Sequence, residues 1–371
     1  MPHTPEPDED DPDAIPPPHP VVHVEQALLG ALLLEPQRLR DVTGIGADAF
    51  STPAHAALFT AISSLPAPDP AEHAQDTKWL GAVLAAAREQ TRGLSALYLQ
   101  QLIQVCRWPQ HTPAYARIIE AENGRRRLAA AAQQLTRTAG DTTLPQRVAA
   151  TLAEADALTT VVDDIAARFP PHAGSLPRTS APAPATDLDE DAVDEEQLLL
   201  ATATAHPGDI EQMRWLTAGD FTQPLHAGLW QCLTALSQRR APIDPVTVLW
   251  EARQRGLLGP EVRPQELLTV LADPFGAAEH WGERVLQRHL LATARHIGRR
   301  VEAFADDPAT TSYQLVLGSR RALADLSAVR TRWRHATAPV PNKDTPVRAR
   351  AASPPRAGPP QAAAPTTRIS R

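Results

Sequence analysis

A pattern that opens with Glu25-Gln26-x-Leu28-Leu29 and runs to Phe50-x-x-Pro53-x-His55-x-x-Leu58-Phe59 returns later in the chain. The second version reads Glu196-Gln197-x-Leu199-Leu200, then Phe221-x-x-Pro224-x-His226-x-x-Leu229-Trp230. From Glu25 to Glu196 and from His55 to His226 the offset is the same, 171 positions, with no insertion between the matched residues. Such constancy predicts two copies of one folding unit, which limits the architecture before any chemistry is considered. A length of 371 residues accommodates two such units with sequence to spare.

The composition predicts an all-α chain. Ala and Leu dominate the 43% apolar fraction, aromatic residues make up only 4%, and β-branched runs are scarce. Within the first copy, Val24, Leu28 and Ala31 recur at helical spacing, and Pro36 suits the first turn of a short helix carrying Leu39 and Val42. A further helix is expected from Pro53, with Thr52 as its N-cap and Leu58, Ile62 and Leu65 inward. Its counterpart from Pro224 carries Leu229, Leu233 and Leu236 on the same stripe. Each copy should close with a helical hairpin, about 112–138 with 144–168 in the first and about 279–305 with 310–330 in the second.

Proline and charge set the expected boundaries. Residues 1–20 form an acidic head with Glu6, Asp8, Glu9, Asp10, Asp11 and Asp13, and residues 334–371 a basic tail; both are expected to be disordered. The first module is placed at 21–168, a Pro/Ala-rich linker at 169–189, and the second module at 190–333. A linker of that length spans on the order of 25 Å as a flexible coil, so the modules are expected to reach each other. Cys106 and Cys232 lie in different modules without metal-ligand spacing, which argues for two buried small hydrophobes. With no signal-like start and no long apolar run, a cytoplasmic protein is expected.

Three stretches of the first copy resemble the N-terminal domain of DnaB-type replicative DNA helicases. They are Glu25-Gln26-x-Leu28-Leu29-Gly30-Ala31-Leu32-Leu33-Leu34, the Asp48–Phe59 segment, and Tyr115-Ala116-Arg117-Ile118-Ile119 followed by Arg125–Leu128. In the second copy the resemblance lies in Asp220-Phe221-x-x-Pro224-x-His226, Pro242-Ile243-Asp244-x-Val246-Thr247-Val248 and Arg255-Gly256-Leu257. This copy departs at Ala201-Thr202-Ala203-Thr204 and at Trp281-Gly282, which suggests drift towards a structural role. The resemblance implies a helical bundle with a dimerising hairpin, a collar function, and docking to primase or loader proteins. Two copies in one chain imply an intramolecular pseudo-dimer, or a homo-oligomer.

The family's motor requires a Gly-x4-Gly-Lys-Ser/Thr loop to hold nucleotide phosphates. Lys78 and Lys343, the two lysines, both stand outside any such pattern. No ATPase, no cofactor and no metal site are therefore expected of this sequence, and His19 with His23 or His289 with His296 offer poor ligand spacing. No nucleophile elbow or His-Glu-x-x-His pattern is present. His55 and His226 are read as helix-face residues packing near Phe50 and Phe221 with one hydrogen bond each. Glu25 and Glu196 are assigned to first helical turns, where the macrodipole favours acid.

The candidate partner or dimer surface is the hairpin set Tyr115, Ile119, Arg125, Arg126, Arg127, Leu128, Val285, Ile297, Arg299 and Arg300. Arg332, Arg334, Arg348 and Arg350 are candidate nucleic-acid contacts through non-specific phosphate binding. The expected function is a non-catalytic replication adaptor that docks to a replicative helicase, primase or loader. The alternative is a nucleic-acid-binding regulator of a mobile element that dimerises through the modules and holds DNA with its tail.

Overall fold

Proline at the first helical turn recurs as the starting device of this fold, because a missing N–H costs nothing where no partner exists for it. In the computed structural model, which describes residues 19–170, 177–179, 190–259 and 262–338, helix α1 is Pro20–Leu34, followed by a 3-10 turn at Pro36–Asp41. Helix α2 is Pro53–Ser64, its Thr52 hydroxyl accepting from the His55 amide at 3.2 Å. Short α3 (Pro70–His73), α4 (Lys78–Gln90) and α5 (Ala96–Val105) complete the first globular part. The hairpin follows as α6 (Thr112–Gly140) and α7 (Arg147–Arg168).

The second copy repeats the plan with α8 (Glu190–Ala205), α9 (Pro224–Gln238), α10 (Pro245–Gln254) and α11 (Pro264–Val270). Its hairpin is α12 (Ala278–Asp306) and α13 (Ser312–Ala336). The described residues are helical with no strand among them. Helix α13 continues to Ala336, so Arg334 stands on a helix rather than in a tail beyond position 333.

α6 and α12 are each 29 residues long, but their starts at Thr112 and Ala278 lie 166 positions apart. The second copy is therefore five residues shorter between α9 and its hairpin. Gly30 shows where the copies differ in packing: a Cβ there would stand 2.1 Å from the Leu102 carbonyl oxygen of α5. Ala201, at the matching place in α8, carries the methyl that Gly30 cannot, and remains buried.

Two apolar cores result. One lies within the first copy and gathers Leu28, Leu29, Leu32, Phe50, Leu58, Phe59, Ile62 and Ile119. The other joins the second copy to both hairpins, with Leu128, Leu135, Leu158 and Val162 in continuous contact with Leu290, Ile297, Val301 and Leu326. The hairpins thus pack as a four-helix bundle whose apolar stripes face inward.

Candidate functional site

Across the bundle, α6 and α12 run antiparallel, since positions early on one meet positions late on the other: Arg125 reaches Ala305 while Gly140 lies beside Arg295. At the crossing, a Cβ on Gly298 would stand 2.8 Å from the Ala132 carbonyl oxygen and 2.1 Å from Thr136 Oγ1. With the hairpin offset of 166, Gly298 is the counterpart of Ala132. A residue meeting its own counterpart marks a pseudo-twofold axis, the internal form of an isologous contact. Gln133 Nε2 donates to Glu302 Oε1 at 2.8 Å beside it.

α7 and α13 form the other side of the bundle through ion pairs. Arg330 grips Asp156 with both terminal nitrogens, at 2.5 and 2.9 Å, and Arg320 donates to Asp163 at 2.8 Å. The Arg330 hydrogen bonds hold the Asp156 carboxyl below its ordinary value. Arg117 donates to the Tyr313 hydroxyl at 3.0 Å while its guanidinium sits over the Phe169 ring.

The expected hairpin residues divide between several places. Leu128, Val285 and Ile297 are buried in the shared core and Ile119 in the first-copy core, so these four present no outward surface. Tyr115 packs partly buried against the first core. Arg125 donates to the carbonyl oxygens of Ala305 at 2.7 Å, Asp307 at 2.8 Å and Thr310, closing the turn of the opposite hairpin. Arg126 donates to the Ala49 carbonyl at 2.6 Å, and Arg127 to Asp164 at 2.9 Å. Arg300 lies over the Phe304 ring and 3.9 Å from Asp325, whereas Arg299 is half-buried.

Among the residues expected to touch nucleic acid, Arg332 turns inward and donates to the buried Asp220 carboxylate and to the Trp215 carbonyl at 3.3 Å. Its Nη1 is thus engaged within the fold. Arg334 is exposed on α13, and Arg348 and Arg350 lie outside the described residues.

The repeated Glu and His form a buried pair in each copy, which the sequence reading missed. Glu25 is in the second turn of α1 and fully buried, not in a first turn facing the macrodipole. Its Oε1 accepts from the Ser51 amide at 2.6 Å, and its Oε2 from the Ser51 hydroxyl at 2.9 Å and from His55 Nδ1 at 2.6 Å. His55 Nε2 reaches the Tyr98 hydroxyl at 2.6 Å, so the ring makes two bonds rather than one. In the second copy Glu196 accepts from Thr222 through its amide at 2.5 Å and its hydroxyl at 2.7 Å, and from His226 Nδ1 at 2.7 Å. Burial pushes the Glu25 carboxyl up, but the His55 and Ser51 hydrogen bonds outweigh it and leave the carboxyl below its ordinary value. The signal was present in the sequence: Glu and His recur with the same separation in both copies.

This arrangement is structural chemistry, because Glu25, His55, Glu196 and His226 are all buried and each pair joins two helices of its own copy. No group of three or more His, Cys, Asp or Glu among the described residues could hold a metal ion. No described helix is long and apolar enough to cross a membrane. Elsewhere on the second copy, Val246 and Trp250 of α10 are exposed beside Pro242, with the Arg253 guanidinium over the indole.

Comparison with known proteins places these features. The family model described as DnaB-like helicase N terminal domain matches residues 17–121 and again 189–283, together more than half of the chain. Both matches stop within the first turns of α6 and α12, so most of the four-helix bundle lies beyond them. No curated protein and no solved structure matches the chain.

Proposed function

The chain belongs to the DnaB-like helicase N-terminal domain family, and from that premise we propose that it is a non-catalytic adaptor of DNA replication, docking to a replicative helicase, primase or loader. The observation that carries this reading is the Gly298–Ala132 crossing, where the hairpins of two family domains meet inside one chain. A chain that completes its own hairpin pair is an intramolecular pseudo-dimer and leaves the outer faces of its globular parts for partners. Apolar burial in the bundle holds the two halves, and exposed charge on the outer faces sets encounter rate and register.

The test is capture by the full chain of purified replicative helicase, primase and loader from one source organism. Saturable binding to one of them, at a stoichiometry of one tandem chain per site, supports the adaptor. Failure to bind any of the three overturns it. The nucleic-acid regulator has less support among the described residues, because Arg332 is engaged within the fold and only Arg334 of the four basic candidates is seen exposed there. Deleting residues 339–371 should abolish DNA affinity on that reading and leave protein capture intact on the adaptor reading.

A further inference from the structure

Helix α10 repeats α4: Val83-Leu84-x-x-Ala87-Arg88 returns as Val248-Leu249-x-x-Ala252-Arg253. In both helices the Val and the Ala of this pattern are fully buried, so the two share one orientation in their copies. On that register Gly81 and Ala85 stand where the second copy has Val246 and Trp250. Gly81 and Ala85 are exposed, and a Cβ on Gly81 would meet open space. Val246 and Trp250 are 66% and 56% exposed, one turn apart on the same face. The copies thus share a solvent-facing stripe, and the second alone covers it with large apolar side chains, the mark of an interaction surface.

Beside this pair the surface is concave. A cavity of about 400 Å³ opens between the end of α9 and α10, lined among others by Leu236, Pro242, Val246, Leu249, Trp250 and Glu251. The Arg253 guanidinium lies 4.9 Å from the centroid of the Trp250 ring. Arg239 and Arg255 share one carboxylate, Glu251, at 2.5 and 2.9 Å, which leaves that trio with a net positive charge. Asp244 stands at the other end of the helix, where its Oδ1 accepts from the Val246 and Thr247 amides at 2.8 and 3.0 Å. Among the described residues, the charge beside Trp250 is positive on balance.

We propose that this face docks an acidic amphipathic peptide segment of a protein partner, its apolar side chains in the cavity beside Val246 and Trp250 and its carboxylates against Arg253 and the neighbouring arginines. The inference rests on the adaptor reading and names the surface and the chemistry of that docking. The cavity takes a few side chains, as a groove for a helix or peptide does, whereas a standard interface between folded proteins buries about 800 Å² per partner. Charge also argues against a second copy of the chain, because a twofold contact through α10 would bring Arg253 and its neighbours towards their own counterparts.

Surface plasmon resonance of the immobilised full chain with purified replicative helicase, primase and loader tests the proposal. Val246→Ser combined with Trp250→Ala should weaken capture about tenfold or more, as truncating an aromatic anchor does, with the helical circular dichroism unchanged. Arg253→Glu should slow association and flatten its dependence on salt. Leu97→Ser replaces an exposed leucine of the first copy and should leave capture as it is. Capture undiminished in the Val246 and Trp250 variant, lost equally in Leu97→Ser, or unaltered in rate by Arg253→Glu overturns this inference and leaves the adaptor standing. Capture of none of the three proteins by the wild type overturns the adaptor and the inference with it. A wild-type dimer in sedimentation that the Val246 and Trp250 variant converts to monomers would place a second copy on this face, and overturns the inference as well.

Discussion

Gly298 sits so near Thr136 that an added Cβ would fall 2.1 Å from the threonine Oγ1, with the Ala132 carbonyl oxygen at 2.8 Å. Two helices approach this closely only where one of them lacks a side chain, so the crossing depends on a hydrogen atom at that position. Gly298→Val should separate α6 from α12 and cost about 3 kcal/mol or more, at or beyond the upper end of overpacking effects. Urea unfolding of the variant measures the loss. An unchanged midpoint would show that the helices do not cross here.

His55 is the side-chain partner, beside Ser51, of a carboxylate that has no access to water. His55→Leu leaves Glu25 buried beside Ser51 alone, and breaking such a pair from one side costs about 3–5 kcal/mol. His226→Leu should behave alike in the second copy through Glu196. Thermal unfolding of the two variants compares them, and a loss under about 1 kcal/mol in both would remove the pairs from the stability account.

The Glu25 carboxyl also predicts a pH dependence. Its folded value is depressed, so its contribution is complete above the unfolded value of about 4.3 and is lost as pH falls through the lower folded value. Urea midpoints measured between pH 7 and pH 3 should fall more steeply for the wild type than for Glu25→Gln. Parallel curves would mean that protonation of Glu25 is not coupled to folding.

Arg125 satisfies carbonyl oxygens of Ala305, Asp307 and Thr310 at the end of α12 and in the turn that follows. Arg125→Ala removes charged hydrogen bonds from a helix C-terminus and should cost about 3 kcal/mol. Hydrogen exchange should accelerate over residues 306–312 while α1 and α2 keep their protection. Uniform acceleration across the chain would point instead to global destabilisation.

Burial raises the Cys232 thiol to about 11, and the side chain is fully enclosed between α9 and its neighbours. A thiolate-requiring reagent at pH 8 should therefore label Cys232 no faster than the second copy opens. Labelling that is complete on mixing would contradict the burial of α9.

The helices, their proline starts and the duplication were legible in the sequence because each is a local or a periodic property. Pro53 and Pro224 announce α2 and α9, and the 171-residue offset between Glu25 and Glu196 announces a second copy. The Glu25–His55 pair was half-visible: both residues were marked by recurrence, but their contact spans 30 positions and depends on how α1 meets α2. Arg332 illustrates the reverse, since a basic cluster reads as a contact for nucleic-acid phosphates until tertiary packing sets Asp220 beneath it.

Which surfaces close on each other was decided by tertiary structure alone. Nothing in the order of residues states that Ala132 meets Gly298 or that Arg125 closes the turn of the opposite hairpin. Helical periodicity specifies which side of a helix is apolar, because that follows from 3.6 residues per turn. The partner of that side is set by shape and charge across distant segments, and so only the folded chain reveals it.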